Sequence, residues 1–91
     1  MNRQKLLELF VLDSIADIKK TNEEIVTSVI VEGSRCSVEF RPSSVEHTIE
    51  TLFQRGLIRA YRMEPKLAEE LKTFQVRGVV ADMIHFYGSN S

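Results

Sequence analysis

The stretch Ser43-Ser44-Val45-Glu46-His47-Thr48-Ile49-Glu50-Thr51-Leu52-Phe53-Gln54-Arg55-Gly56-Leu57-Ile58-Arg59-Ala60-Tyr61 decides the fold. Val45, Ile49, Leu52 and Phe53 recur at three- and four-residue spacing, which places them on one face of a helix that buries that face. Ser43 and Glu46 have the spacing of a capping box, in which each side chain satisfies an exposed amide at the helix start. Pro42 biases Arg41 away from helical geometry, so the helix cannot begin earlier. Gly56 can take the left-handed conformation that ends a helix, and Leu57 can fold back onto Leu52. The period then changes to two. Ile58, Ala60 and Arg62 point one way, and Leu57, Arg59, Tyr61 and Met63 the other, which predicts a strand over Leu57 to Met63.

Two helices are expected upstream. Leu6, Leu7, Phe10, Val11, Ser14 and Ile15 form a stripe on a helix from about Arg3 to Ala16 or Asp17. Leu9, Leu12 and Ala16 widen that stripe, and Lys19 and Lys20 at its end suit the negative pole of the helix dipole. Thr21 and Glu24 form a capping box for a second helix, whose apolar face is Ile25, Val26, Val29 and Ile30 and whose stop is Gly33. Cys36, Val38 and Phe40 alternate with polar residues, as in a short strand or extended loop.

Downstream, Pro65 ends the strand, and Lys66 to Phe74 reads as a short helix with Leu67, Leu71 and Phe74 on one side and Glu69 and Glu70 opposite. Met83 to Tyr87 reads as a final strand and Gly88 to Ser91 as a frayed tail. The expected fold class is therefore α+β: a three-helix core with a C-terminal antiparallel β-hairpin and a short helix inserted between its strands.

The chain of 91 residues forms one small domain, 43% apolar and 27% charged, within the ordinary range of soluble globular proteins. The longest apolar run, Leu9 to Leu12, is far short of the ~20 residues that span a bilayer, and Glu8 and Asp13 interrupt any signal-peptide core. Cys36 is the only cysteine, so no internal disulfide forms. A cytoplasmic location with no membrane partner is expected.

The order of elements resembles the winged helix-turn-helix superfamily. The residues that carry the resemblance are Leu52-Phe53-Gln54-Arg55-Gly56-Leu57-Ile58-Arg59-Ala60-Tyr61, a helix that ends at glycine and runs directly into a strand. The stretch is also similar to one in a group of short uncharacterised bacterial proteins with an aromatic final strand. The resemblance implies a third helix that enters the DNA major groove and a hairpin that touches the backbone. The residues it marks for nucleic-acid contact are Arg41, Ser44, His47, Thr51, Gln54, Arg55 and Arg59. His47, Thr51 and Gln54 can read base edges.

Charge supports two roles. The chain sums to −1, from 12 basic and 13 acidic residues. Residues 35 to 62 hold a small positive excess made entirely of arginine (Arg35, Arg41, Arg55, Arg59 and Arg62), a side chain that forks onto phosphate well. Glu50 shares the solvent face of the third helix and opposes phosphates. The extra apolar residues of the first helix and final strand mark a partner surface instead.

No chemistry for catalysis emerges. Cys36, His47 and His85 are not paired at metal-ligand spacing, His85 reads as a partly buried or edge-strand residue, and Cys36 as a small buried hydrophobe. Gly33, Gly56, Gly78 and Gly88 are isolated, so no phosphate-binding loop forms. Neither enzyme activity nor a cofactor is expected. The two roles carried forward are a DNA-binding regulatory module that reads duplex DNA through its third helix, and a protein-interaction or dimerisation module of the same fold. Dimerisation would run through the first helix or the final strand.

Overall fold

The computed structural model describes residues 2–64, 67–71 and 84–88. Among the described residues three helices, α1 (Arg3–Ser14), α2 (Asn22–Arg35) and α3 (Pro42–Gln54), precede three strands, β1 (Ile58–Glu64), β2 (Leu67–Leu71) and β3 (Ile84–Gly88). The strands form one antiparallel sheet in the order β2-β1-β3. The fold class is α+β, as the periodicity of the sequence implies.

Each helix buries one face in a common core. Leu7, Val11 and Ile15 come from α1 and its C-cap, Ile25 and Val29 from α2, and Val45, Ile49 and Leu52 from α3. Ile58 and Ala60 of β1 and Ile84 and Phe86 of β3 close it from the sheet side. Arg59 and Tyr61 alternate outward on β1, as do His85 and Tyr87 on β3. Phe53 is half-buried and meets Phe86 edge to face, with ring centroids 5.9 Å apart. Thr48 is fully buried on α3, and its hydroxyl accepts a hydrogen bond from Gln4 Nε2 at 3.1 Å.

The helix ends show what the local signals decide. Thr21 and Glu24 make the capping box that their spacing predicts. The box expected at Ser43 and Glu46 does not form. Pro42 occupies the first helical position with its φ already set for a helix, so the cap falls on Arg41, which makes no side-chain cap bond. At the far end of α3, Gly56 has φ 76°, its amide donates to Phe53 O at 3.0 Å, and the Leu57 amide donates to Leu52 O at 2.9 Å. This is the Schellman geometry that the glycine predicts. Leu57 returns through its backbone only, for its side chain stays exposed.

Gly33 is not the stop of α2. The helix continues to Arg35, and Ser37 takes the left-handed conformation with φ 60°. Ser37 N donates to Ser34 O at 3.1 Å, and Val38 N donates to Gly33 O at 2.7 Å, which is again Schellman geometry. Gly33 is needed for space instead. A Cβ there would lie 2.8 Å from Val38 O and 2.9 Å from Phe40 Cδ2. Cys36 and Ser37 form the turn and Val38 to Arg41 follow as a loop, with Phe40 buried against Phe10 at 5.5 Å and Cys36 exposed rather than buried.

Further expectations are corrected. α1 ends at Ser14 rather than at Ala16 or Asp17, so Lys19 and Lys20 lie beyond its last turn and not at its negative pole. The predicted helix from Lys66 to Phe74 is replaced, over Leu67 to Leu71, by strand β2; residue 66 and residues 72–74 lie outside the described residues. Helical spacing there yields to the sheet, because β1 needs a partner along its second edge and Leu71 is buried opposite Ala60. The expected hairpin is thus a three-stranded sheet with β1 at its centre. Gly88 belongs to β3 rather than to a frayed tail, and its amide donates to Ile15 O at 3.0 Å. On the open side of β3, Lys20 and Phe86 exchange backbone hydrogen bonds of 3.0 and 2.7 Å, tying the α1–α2 connection to the sheet.

Candidate nucleic-acid interface

The residues marked for nucleic-acid contact are spread over several parts of the surface. His47 and Gln54 lie on the outward face of α3, together with Ser43, Glu46 and Glu50, all exposed. Gln54 Nε2 donates to Glu50 Oε1 at 3.3 Å, so the amide that was to read a base already holds a carboxylate. Thr51 is half-buried and sits with Ser44 on the flank nearer α1. Arg41 and Ser44 mark the start of α3, where they line a cleft with Arg3, Gln4, Leu7 and Phe40. The Arg3 guanidinium lies 5.7 Å from the centre of the Phe40 ring. That distance is within cation–π range.

The remaining arginines are engaged elsewhere. Arg55, the C-cap of α3, has Nη1 3.6 Å from Glu8 Oε1 on α1. Arg59 on β1 has Nη1 3.2 Å from Glu70 Oε1 on β2. Each arginine is about half exposed, so the pairs add little stability, but the two partner carboxylates offset the small positive excess that the sequence sums promise. The structure does not gather the seven residues into one basic band.

The outer face of the sheet holds a constellation that no local signal in the chain announces. Lys19 Nζ lies 5.0 Å from the Tyr61 ring centre and 4.9 Å from that of Tyr87. The contact joins the α1–α2 connection to two strands far away in the chain. His85 is half-buried on β3, with Nε2 4.0 Å from Glu24 Oε1. The Glu24 carboxyl is held below its ordinary range, chiefly by the backbone amide and the hydroxyl of Thr21 against a burial penalty, with lesser Coulombic contributions from His85 and Lys20.

Among the described residues no group of three His, Cys, Asp or Glu is placed to hold a metal. No described helix is long and apolar enough to cross a membrane. The second candidate surface is the outward side of α1. Leu9 is 50% exposed and lines an open, mainly apolar groove with Leu6, Phe10, Leu12, Ala16 and one charged residue, Asp13. Comparison with protein-family models, with curated proteins and with solved structures gave no match.

Proposed function

We propose that this chain is a protein-interaction module of winged-helix-like fold that contacts its partner through the outward face of α1. One observation carries the reading: Leu9 is half exposed in a mainly apolar groove, while the outward face of α3 presents Glu46 and Glu50. The exposed Leu9, with the accessible parts of Leu6 and Leu12 beside it, gains by leaving water at roughly 25 cal/mol per Å². Carboxylates facing a phosphate backbone lose by approaching it. The order of three helices and a sheet, with the turn at Gly56, supports the winged-helix-like description.

Light scattering over a concentration series, paired with fluorescence anisotropy on mixed-sequence duplex DNA at low salt, tests this reading. Association that is lost in Leu9→Lys, with no DNA binding, is the expected result. Salt-dependent DNA binding by a chain that stays monomeric overturns it.

A second reading, DNA binding, is favoured by the cleft at the start of α3, where Arg3 and Arg41 stand beside Ser44. In that case Arg3→Ala and Arg41→Ala each weaken binding and lower its salt dependence by about one phosphate contact. Arg55→Ala and Arg59→Ala then have the smaller effects, because each arginine already holds a carboxylate.

A further inference from the structure

The outward face of α1 is close to a palindrome centred on Leu9. Leu6 and Leu12 lie three residues to either side of it, and Lys5 and Asp13 lie four residues to either side. Residues three and four apart are neighbours on a helix surface, so these five side chains form one patch. Lys5, Leu9 and Asp13 are exposed, and Leu6 and Leu12 are half-buried at the margins. Among the described residues neither Lys5 nor Asp13 has an opposite charge within 4.0 Å.

These charges are misplaced for the helix that bears them. Lys5 stands in the first turn, at the positive pole of the α1 dipole, and Asp13 in the last turn, at the negative pole. Each placement destabilises an isolated helix slightly. An antiparallel copy of α1 corrects both, because it brings a negative pole to Lys5 and a positive pole to Asp13.

We infer that the partner of α1 is a second copy of this chain, packed antiparallel with Leu9 on the two-fold axis. This rests on the reading of α1 as the contact surface. In that register Leu9 meets Leu9 of the copy, Leu6 meets Leu12, and Lys5 meets Asp13 twice by symmetry. The contact is isologous and closes on itself, so association stops at the dimer. A parallel pairing sets Lys5 against lysine and Asp13 against aspartate.

The experiment is sedimentation of the full chain at low salt, with the variants Lys5→Glu and Asp13→Lys alone and mixed in equal amounts. Circular dichroism checks that each is folded. The wild type is expected to dimerise, and each variant alone to dimerise roughly tenfold to thirtyfold more weakly, since two modest ion pairs become two repulsions. The mixture is expected to recover the wild-type affinity, because in the mixed dimer every carboxylate again faces a lysine. A dimer indifferent to both charges overturns the antiparallel register and leaves α1 as a contact surface. A wild type that stays monomeric at every concentration overturns the second copy as partner. The DNA measurement described above then separately decides whether the interaction reading falls with it.

Discussion

Replacing Gly33 by alanine sets two effects of known sign against each other. Gly33 lies within α2 and its φ is not positive, so alanine fits the backbone and gains about 1 kcal/mol of helix propensity. Its Cβ, however, would stand 2.8 Å from Val38 O, 2.9 Å from Phe40 Cδ2 and 3.1 Å from Phe40 Cε2. The carbonyl cannot retreat easily, because the amide of the same residue is bonded to Gly33 O at 2.7 Å. The ring is buried and braced by Phe10 at 5.5 Å. Overpacking of this kind costs about 1–3 kcal/mol, and contact with backbone puts it in the upper part of that range. The net loss is about 1–2 kcal/mol, or a fall in Tm of roughly 5–15 °C for a domain of this size. Urea and thermal melts followed by far-UV circular dichroism measure it, with the exposed neighbour Ser34→Ala as a control that gains a few tenths of a kcal/mol. Adding Phe40→Leu to Gly33→Ala relieves part of the loss, and a double-mutant cycle isolates that part. A Gly33→Ala protein as stable as the wild type, or more so, refutes the account of why glycine is there.

The two left-handed residues respond in opposite directions in the same melts. Ser37→Gly stabilises by about 0.5–1 kcal/mol, and Gly56→Ala destabilises by about 1–2 kcal/mol through backbone strain alone, since nothing lies within 4 Å of the added Cβ. Ile49→Ala, at a site 1% exposed, costs about 2–5 kcal/mol, whereas Ile18→Ala, at a site 58% exposed, stays within about 0.5 kcal/mol of the wild type. The Glu24 carboxyl is depressed in the folded chain, so its contribution is complete at neutral pH and is lost as the pH falls through the folded value. Stability measured from neutral pH to about pH 3 therefore falls further in the wild type than in Glu24→Gln; equal slopes count against the Thr21 cap as the cause.

Local chemistry made much of this fold legible. Thr21 and Glu24 cap α2, Gly56 turns α3 into β1, and Ile58 and Ala60 alternate inward, because each depends on residues a few positions apart. The misreadings share a cause. Ser43 and Glu46 have capping spacing, but Pro42 had already started the helix; Gly33 has the residue type of a stop, but the ring of Phe40 needs its empty side. Leu67 and Leu71 have helical spacing, but β1 offers an unpaired edge that pairs all the way from Ala60 to Glu64. The candidate site was read less fully. Arg41 and Ser44 do stand at the start of α3, yet nothing near them in the chain reveals that Arg3 joins them, that Glu8 takes Arg55, or that Glu70 takes Arg59.

The amino-acid order by itself determined the three helices, the α3–β1 turn and most of the residues that fill the core, Thr48 being one it missed, since capping, glycine conformation and hydrophobic period act within a few residues. Only the tertiary structure decided strand β2, the paired arginines and the exposure of Leu9, because each depends on which distant segments share an edge or a charge.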